Sequence, residues 1–467
     1  MSHNYIEARK TKIKEILKSK EARIHFVGIL GAGMKPLALI LHKRGYTITG
    51  SDTGGGENGL PHGIAFYPTH DSTNVIGASL VVSSFAIAED CPEIVAAHKD
   101  GIPIVYRADL LGALMEDFAF PIGVCGTHGK STTTAMLHCI FSHCGLSPTT
   151  ICGANLECGS PLALGGEDYL IYEACEYRDA FLAFSPKASV VLNIEFDHAD
   201  YFRDISAMLI SYALAHAGCG HVIFNIDDPL SHTLYTLSLG RAISFGTSSL
   251  ADYRYEIASS GSEGSKISVN YIDGQSTIYL PIIGRAAATD AVAAFALAHS
   301  LGLDASGICG ALSTFSGIGR RMQKLCTLYG RDIYYDYAHH PTEILNTVST
   351  LRGIYGRVAV VFRPHTFSRT EALFDSFVRS LSSIDSLVIL DTFAARESKG
   401  QNRGADELAE ALSCPVLPPE SALSHALSSD TSAIVLMGAG DITWIVDRVL
   451  ELSRSEKEQG ACREISD

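Results

Sequence analysis

Short apolar runs, bounded by glycine or polar residues, alternate along this chain with segments whose apolar positions fall at helical spacing. In a first block, 24–120, the runs 24–29, 46–50, 80–84 and 102–106 predict strands, and 34–44 and 92–99 predict helices. A second block, 121–321, has predicted strands at 121–125, 169–174, 190–194 and 221–225 and helices at 133–144 and 286–301. Within it, β-like segments 253–257 and 266–271 flank the Gly/Ser-rich stretch 259–265, which reads as a hairpin turn. A third block, 322–467, carries predicted strands at 333–336, 358–362, 387–391 and 433–437, with helices at 342–351, 370–381 and 405–412. Residues 1–23 form a polar, Lys-rich extension with helical spacing at Ile13, Ile16 and Leu17. This alternation predicts an α/β protein of parallel sheets covered by helices.

A chain of 467 residues with 46% hydrophobic content predicts two or three cores. The net charge of −15 excludes a nucleic-acid partner held by bulk attraction. The 12 cysteines show no C-x-x-C pair, so reduced thiols in a cytoplasmic protein are expected. No apolar run reaches membrane-spanning length and no apolar leader opens the chain, so no membrane insertion is expected.

The richest segment is Gly126-Thr127-His128-Gly129-Lys130-Ser131-Thr132, between a predicted strand and a predicted helix. Backbone N–H groups of such a turn surround phosphates, a lysine sits between them, and a serine hydroxyl ligates Mg²⁺. The spacing G-x-x-G-K-S is shorter than the general P-loop. An earlier turn, Gly28-Ile29-Leu30-Gly31-Ala32-Gly33, reads G-x-x-G-x-G, and Asp52 ends the next strand where dinucleotide folds place a carboxylate for ribose hydroxyls. Glu173 ends a strand in position to share a metal with Ser131. Glu195, Asp197, His198 and Asp200 follow another strand, with His198 suited to a second Mg²⁺ or its water. Arg320-Arg321 sits at a block junction, from which a guanidinium reaches a γ-phosphate on domain closure. Past two later strands stand His339-His340 and the pair His365 and Arg369, the latter suited to a small carboxylate.

Together the strings HFVGILGAGM, TGSD, GTHGKSTTTAM, EACEYRDAFL, NIEFDHADYF, DYAHHPTEI, PHTFSRT and MGAGDI resemble the Mur ligase family of peptidoglycan synthesis, from Ile24 to about Ile442. The resemblance implies a Rossmann-like UDP-sugar-binding domain (24–120), a central P-loop ATPase-like domain (121–321) and a Rossmann-like amino-acid-binding domain (322–467). It implies ATP and Mg²⁺ as cofactors and joining of L-alanine to the lactyl carboxylate of UDP-N-acetylmuramate, by a monomer or homodimer. By motif match Gly126 to Thr132 hold ATP, Ser131 and Glu173 one Mg²⁺, and His198 a second. Gly31, Gly33, Asp52 and Ser84 contact the UDP-sugar. His339, His340, His365 and Arg369 fall on the alanine side, and Lys130, His198 and Arg321 carry the catalysis.

Some positions depart from the family pattern. Ala286, Ala287 and Asp290 stand where a His, an Asn and an Asn are usual beside the adenine. Lys35-Pro36 follows the first turn where a small polar residue is common, and Tyr335 replaces an Asp. Three rival readings are a ligase adding a recycled tripeptide to the same UDP-sugar, a nicotinamide-dependent oxidoreductase built on the first block, and a catalytically silent UDP-sugar sensor.

Overall fold

The computed structural model describes residues 3–54, 59–199, 201–238, 242–395, 397, 399–400 and 402–464. The chain forms two compact units, Met1–Ile194 with Ser206–Phe245 and Ala296–Ile308, and Glu195–Ile205 with Gly246–Phe295 and Cys309–Asp467. Asp200 lies outside the described residues.

The first unit opens with the helix His3–Leu17 and a five-stranded parallel sheet. Its spatial order is Ala65–Tyr67, Thr47–Ser51, Arg23–Val27, Leu80–Ser83, Ile104–Tyr106. Ile24, Phe26, Ile48, Val81 and Val82 are fully buried, as an all-parallel sheet with both faces covered requires. Strand order reverses beside Arg23–Val27, the position where open α/β sheets bind ligands beyond their carboxyl ends. A buried carboxylate ties the helix Pro92–Lys99 to this sheet. Glu93 accepts from Ser51 (2.7 Å), Asn74 (2.7 Å), His70 (3.0 Å) and His25 (3.2 Å). Burial raises its pKa, but the bonds from His25, Ser51 and Asn74 outweigh that and hold it below the usual value.

The same unit carries a second parallel run, Ala242–Gly246, His221–Asn225, Ala188–Val191, Phe120–Cys125, Tyr169–Glu173 and Thr149–Ile151, edged by antiparallel Leu162–Ala163. Here the order reverses at Phe120–Cys125, directly before Gly126. The helix after this turn starts at Lys130, not at residue 133: Gly129 adopts φ +83°, and the chain turns helical at once. The strand predicted to reach Ile194 stops at Val191: Leu192 still donates to the Cys125 carbonyl (3.0 Å), but at Asn193 the chain bonds the Gly126 turn instead of a neighbouring strand.

In the second unit Tyr253–Gly261, Gly264–Tyr271 and Gly274–Leu280 form an antiparallel ribbon, with the expected hairpin at Ser262-Glu263. A five-stranded sheet follows, ordered Gln323–Leu328, Arg331–Asp336, Ala433–Met437, Val358–Phe362, Ser386–Ile389, parallel except at its first pair. The helix predicted over 370–381 is two, Phe367–Ala372 and Phe374–Leu381, broken where Leu373 leaves helical geometry (φ −113°, ψ 17°).

Candidate active site

The Gly126–Ser131 turn is fastened from two sides. Asn193 accepts from the His128 N–H (2.8 Å), donates to the His128 carbonyl (3.1 Å), and its own carbonyl takes the Thr127 N–H (3.1 Å). Gly126 has φ +143°, and a Cβ there would stand 3.0 Å from the Leu192 Cβ. Ser131 is buried within the first helical turn, and Thr132 beside it is half-buried.

Lys130 Nζ donates to the Gly126 and Thr127 carbonyls and lies 3.2 Å from Glu176. Burial pushes the ammonium's pKa down. The charge of Glu176, with Cys175 and Glu173 behind it, more than reverses this and leaves it well above its ordinary value. Lys130 therefore stays charged at neutral pH. Glu176, 1% exposed, has no counterpart among the residues selected from sequence; its position three residues beyond Glu173 in Glu173-Ala174-Cys175-Glu176 was the available signal.

Glu173 and Ser131 flank one side chain. The Cys152 thiol is 3.4 Å from Glu173 Oε1 and 3.5 Å from the Ser131 carbonyl. The Gly153 N–H donates to the same carboxylate, and a Cβ on Gly153 would meet both its oxygens within 2.9 Å. A glycine is thus needed for Glu173 to lie where it does. The carboxylate and the serine hydroxyl are hard oxygen donors of the kind Mg²⁺ takes, so the residues present fit that ion.

At the first turn, Asp52 follows the strand Thr47–Ser51 and is already engaged. Its oxygens accept from the Leu30 N–H (3.0 Å) and the Gly54 N–H (2.9 Å), bracing the turn. Gly31 is exposed at the rim; Gly33 is crossed by the side chain of Arg107. Ser84 follows the strand Leu80–Ser83 and accepts from the Ala86 N–H (3.3 Å).

The remaining selected residues belong to the second unit. The Arg369 guanidinium grips a carboxylate, as its sequence context suggested, but that of Asp197, through two bonds of 3.1 and 3.2 Å. Burial would raise the Asp197 pKa, yet Arg369 and His198 hold it far below the carboxylate range. His198 adopts φ +56° and takes a backbone bond to Asp197. The Glu195–His198 stretch thus packs on residues of the third block: Glu195 accepts from Thr342 (2.7 Å) and stands 3.4 Å from His340.

Arg369 donates to His365 Nδ1 (3.0 Å), so that nitrogen is the acceptor and the ring is neutral. Burial first, then Arg369, lowers the His365 pKa to about 4. His339 is lowered to about 3, mainly by burial, with its Nδ1 on the Tyr337 carbonyl (3.0 Å). His340 caps the helix Pro341–Tyr355. Arg321 lies over the Tyr337 ring at 5.0 Å and 3.5 Å from Glu343. Tyr335 gives Arg320 a partner, hydroxyl to Nε at 2.5 Å. Ala286 is exposed, whereas Asp290 is 7% exposed.

Three family profiles match in order: the Mur ligase catalytic domain over 23–119, the Mur ligase middle domain over 124–298, and the Mur ligase glutamate ligase domain over 320–440. The chain belongs to the Mur ligase family. Among Mur ligases it is 36% identical over 454 residues to the UDP-N-acetylmuramate–L-alanine ligase of Caldicellulosiruptor saccharolyticus, covering 92% of this chain and 99% of that one. The ligase of the same name from Clostridium acetobutylicum is 35% identical, with 90% and 95% covered. The crystal structure of the UDP-N-acetylmuramate–alanine ligase of Thermotoga maritima superposes with a TM-score of 0.78 at 26% identity, covering 93% and 99%. The fold of a murein peptide ligase from Psychrobacter arcticus is also similar (TM-score 0.70, 23% identity, 92% and 98% covered). The fold is the three-domain α/β architecture of the Mur ligases. Among the described residues no helix is long and apolar enough to cross a membrane.

Proposed function

We propose that this chain is an ATP-dependent amide-forming ligase that joins L-alanine to the lactyl carboxylate of UDP-N-acetylmuramate through an acyl phosphate, releasing ADP and phosphate in peptidoglycan precursor synthesis. Full-length likeness to L-alanine ligases supports the substrate pair. The observation that carries the reading is Lys130, a permanently charged ammonium on a phosphate-type turn, with Ser131 and Glu173 beside it.

A carboxylate is a poor acyl donor until its oxygen becomes part of a leaving phosphate. Making the acyl phosphate brings two anions together, so fixed positive charge is needed where they meet. Lys130 supplies it on the nucleotide side. Ser131 and Glu173 would hold one Mg²⁺ and His198 a second, and the ion when bound supplies Lewis-acid neutralisation of phosphate charge. Arg321 adds a guanidinium for the transferred phosphoryl group. In this reading Gly31, Gly33, Asp52 and Ser84 bind the UDP-sugar, and His339, His340, His365 and Arg369 line the alanine side. Residues 24–120, 121–321 and 322–467 serve sugar nucleotide, ATP and amino acid respectively, after the extension 1–23. A cytoplasmic monomer or homodimer fits these substrates. Holding amine and acyl phosphate together is worth roughly 7–11 kcal/mol of barrier.

Phosphate release with UDP-N-acetylmuramate, ATP, Mg²⁺ and L-alanine tests the proposal. Turnover is expected with L-alanine and not with the recycled tripeptide, and Lys130→Ala is expected to lose about 10³-fold in kcat, the scale of a lost charge-stabilising donor. Equal rates in wild type and variant would remove Lys130 from the mechanism; faster turnover with tripeptide would move the chain to the recycling branch.

A further inference from the structure

A helix begins best on a side chain that accepts a hydrogen bond from its first turn, so Ser, Thr, Asp or Asn usually stands at the N-cap. The helix Pro92–Lys99 begins on Cys91, whose side chain makes no such bond. Among the described residues the thiol has no hydrogen-bond partner, although Cys91 is only 8% exposed. Val75 and Ile94 belong to the apolar cluster around it. A buried thiol that neither caps its helix nor donates to a neighbour is available as a ligand, and the positive end of a helix favours its thiolate.

Two further donors face it. A ring nitrogen of His70, the Cys91 Sγ and an oxygen of Glu93 all lie within 4.8 Å of one another. His70 Nδ1 is 3.0 Å from Glu93 Oε2, and Ser51 Oγ lies 2.9 Å from the first and 2.7 Å from the second. The other oxygen of Glu93 is held from behind. Oε1 accepts from Asn74 (2.7 Å) and His25 (3.2 Å), and His25 Nδ1 in turn meets the Thr49 hydroxyl (2.9 Å). Outer partners of this kind fix the orientation of a metal-binding carboxylate. The Glu93 side chain is fully buried, whereas that of His70 is 21% exposed and gives an ion its way in.

Charge decides what fits. Glu93 is held ionised by its hydrogen bonds. With Cys91 as a thiolate the pair carries two negative charges, and a neutral imidazole adds none. A dication cancels both, so no net charge stays buried. One imidazole nitrogen, one thiolate and one carboxylate form a mixed set that suits Zn²⁺, whereas Mg²⁺ takes oxygens. Binding sends the thiol proton to solvent and leaves the ring proton of His70 on Nε2.

We propose that His70, Cys91 and Glu93 form a zinc site, with the Ser51 hydroxyl as fourth donor, which clasps the helix Pro92–Lys99 to the strand Thr47–Ser51. The site shares no residue with the Mg²⁺ ligands Ser131, Glu173 and His198, and it does not depend on the ligase reading.

Full-length protein stripped of metal and titrated with Zn²⁺ or Co²⁺ tests this. Calorimetry is expected to show one ion per chain and release of about one proton. Bound Co²⁺ should give a near-ultraviolet thiolate-to-cobalt charge-transfer band, and Zn²⁺ should raise the melting temperature. Cys91→Ser puts a capping hydroxyl at the same point, so this variant keeps its fold while losing the soft donor. It is expected to lose the band and the melting shift, and to lose more Zn²⁺ affinity than the roughly 10- to 100-fold that an outer partner costs. His70→Gln should weaken Zn²⁺ as strongly, and Cys158→Ser, at an exposed cysteine, should match wild type. Excess Mg²⁺ should leave the cobalt band in place. No Zn²⁺ binding by wild type, a band or affinity unchanged in Cys91→Ser or His70→Gln, or loss of the band to Mg²⁺ overturns the assignment.

Discussion

Two glycine-bearing turns follow two buried strands of the same compact unit, and each leads into a helix, yet they handle charge in opposite ways. The turn at Gly126 carries its own ammonium, and the surrounding fold supplies the counter-charge, Glu176, and the brace, Asn193. The turn at Gly28 carries no cation, is braced by a carboxylate, Asp52, and has a guanidinium laid over it from a distant strand end. The same local pattern thus carries its own charge in one case and lies beneath a neighbour's charge in the other.

The largest effect is expected at the intrinsic charge. The Lys130 and Glu176 side chains are 15% and 1% exposed, so Glu176→Gln leaves a buried ammonium with only carbonyls. Breaking such a pair costs about 3–5 kcal/mol. A nucleotide with Mg²⁺ should restore much of this, because phosphate takes the place of the lost carboxylate. Thermal melts with and without a non-hydrolysable ATP analogue check it. An unchanged melting temperature in the ligand-free variant would mean that the Gly126 and Thr127 carbonyls alone hold Lys130.

A second contrast sets Lys130, held charged, against His339 and His365, held neutral. Their pKa values, about 3 and about 4, lie below the ordinary 6.5. Below pH 6.5 the unfolded chain therefore binds protons that the folded rings refuse, and stability falls as pH drops toward 4. Each ring contributes at most about 1.4 kcal/mol per pH unit. Asp336 works the other way. Burial raises it to about 6, so between about pH 6 and 4 the folded state keeps a proton the unfolded carboxyl gives up, which offsets part of the loss. Denaturant melts from pH 7 to 4 should show a net decline, flattened in His339→Asn.

Much of this was legible in the sequence because local pattern and tertiary role coincide. The spans 92–99, 358–362, 405–412 and 433–437 match their elements residue for residue, and the two strands among them are buried throughout, as their apolar composition requires. The Lys130 turn was legible for the same reason. What escaped depends on residues far apart in the chain. Nothing near Arg107 signals that it crosses Gly33, and nothing near Asp197 signals that its carboxylate fills the grip of Arg369. The glycine at 33 looked like room for a phosphate, and its immediate neighbour is a side chain. Glu176 stands only three residues past Glu173, but only the fold turns it toward Lys130.

Asn193→Ala should cost about 1–3 kcal/mol, since both its side-chain bonds go to the backbone of the nucleotide turn. It sharpens the comparison if KM for ATP rises and UDP affinity stays put. A change in UDP affinity instead would mean the two turns are mechanically linked.

The smallest effect is expected at the brace of the Gly28 turn. Asp52→Asn keeps one acceptor oxygen and turns the other into a donor that faces an N–H, from Leu30 or from Gly54. One of the two bonds is lost, at about 1 kcal/mol of stability. If Asp52 only braces the turn, affinities for uridine and UDP fall together by a small factor, because the frame beneath both has loosened. If it also takes a ribose hydroxyl, both affinities fall further together, by roughly the tenfold that another lost hydrogen bond costs. The size of the shared loss on Asp52→Asn, measured with both probes, therefore separates bracing of the turn from binding of the nucleoside.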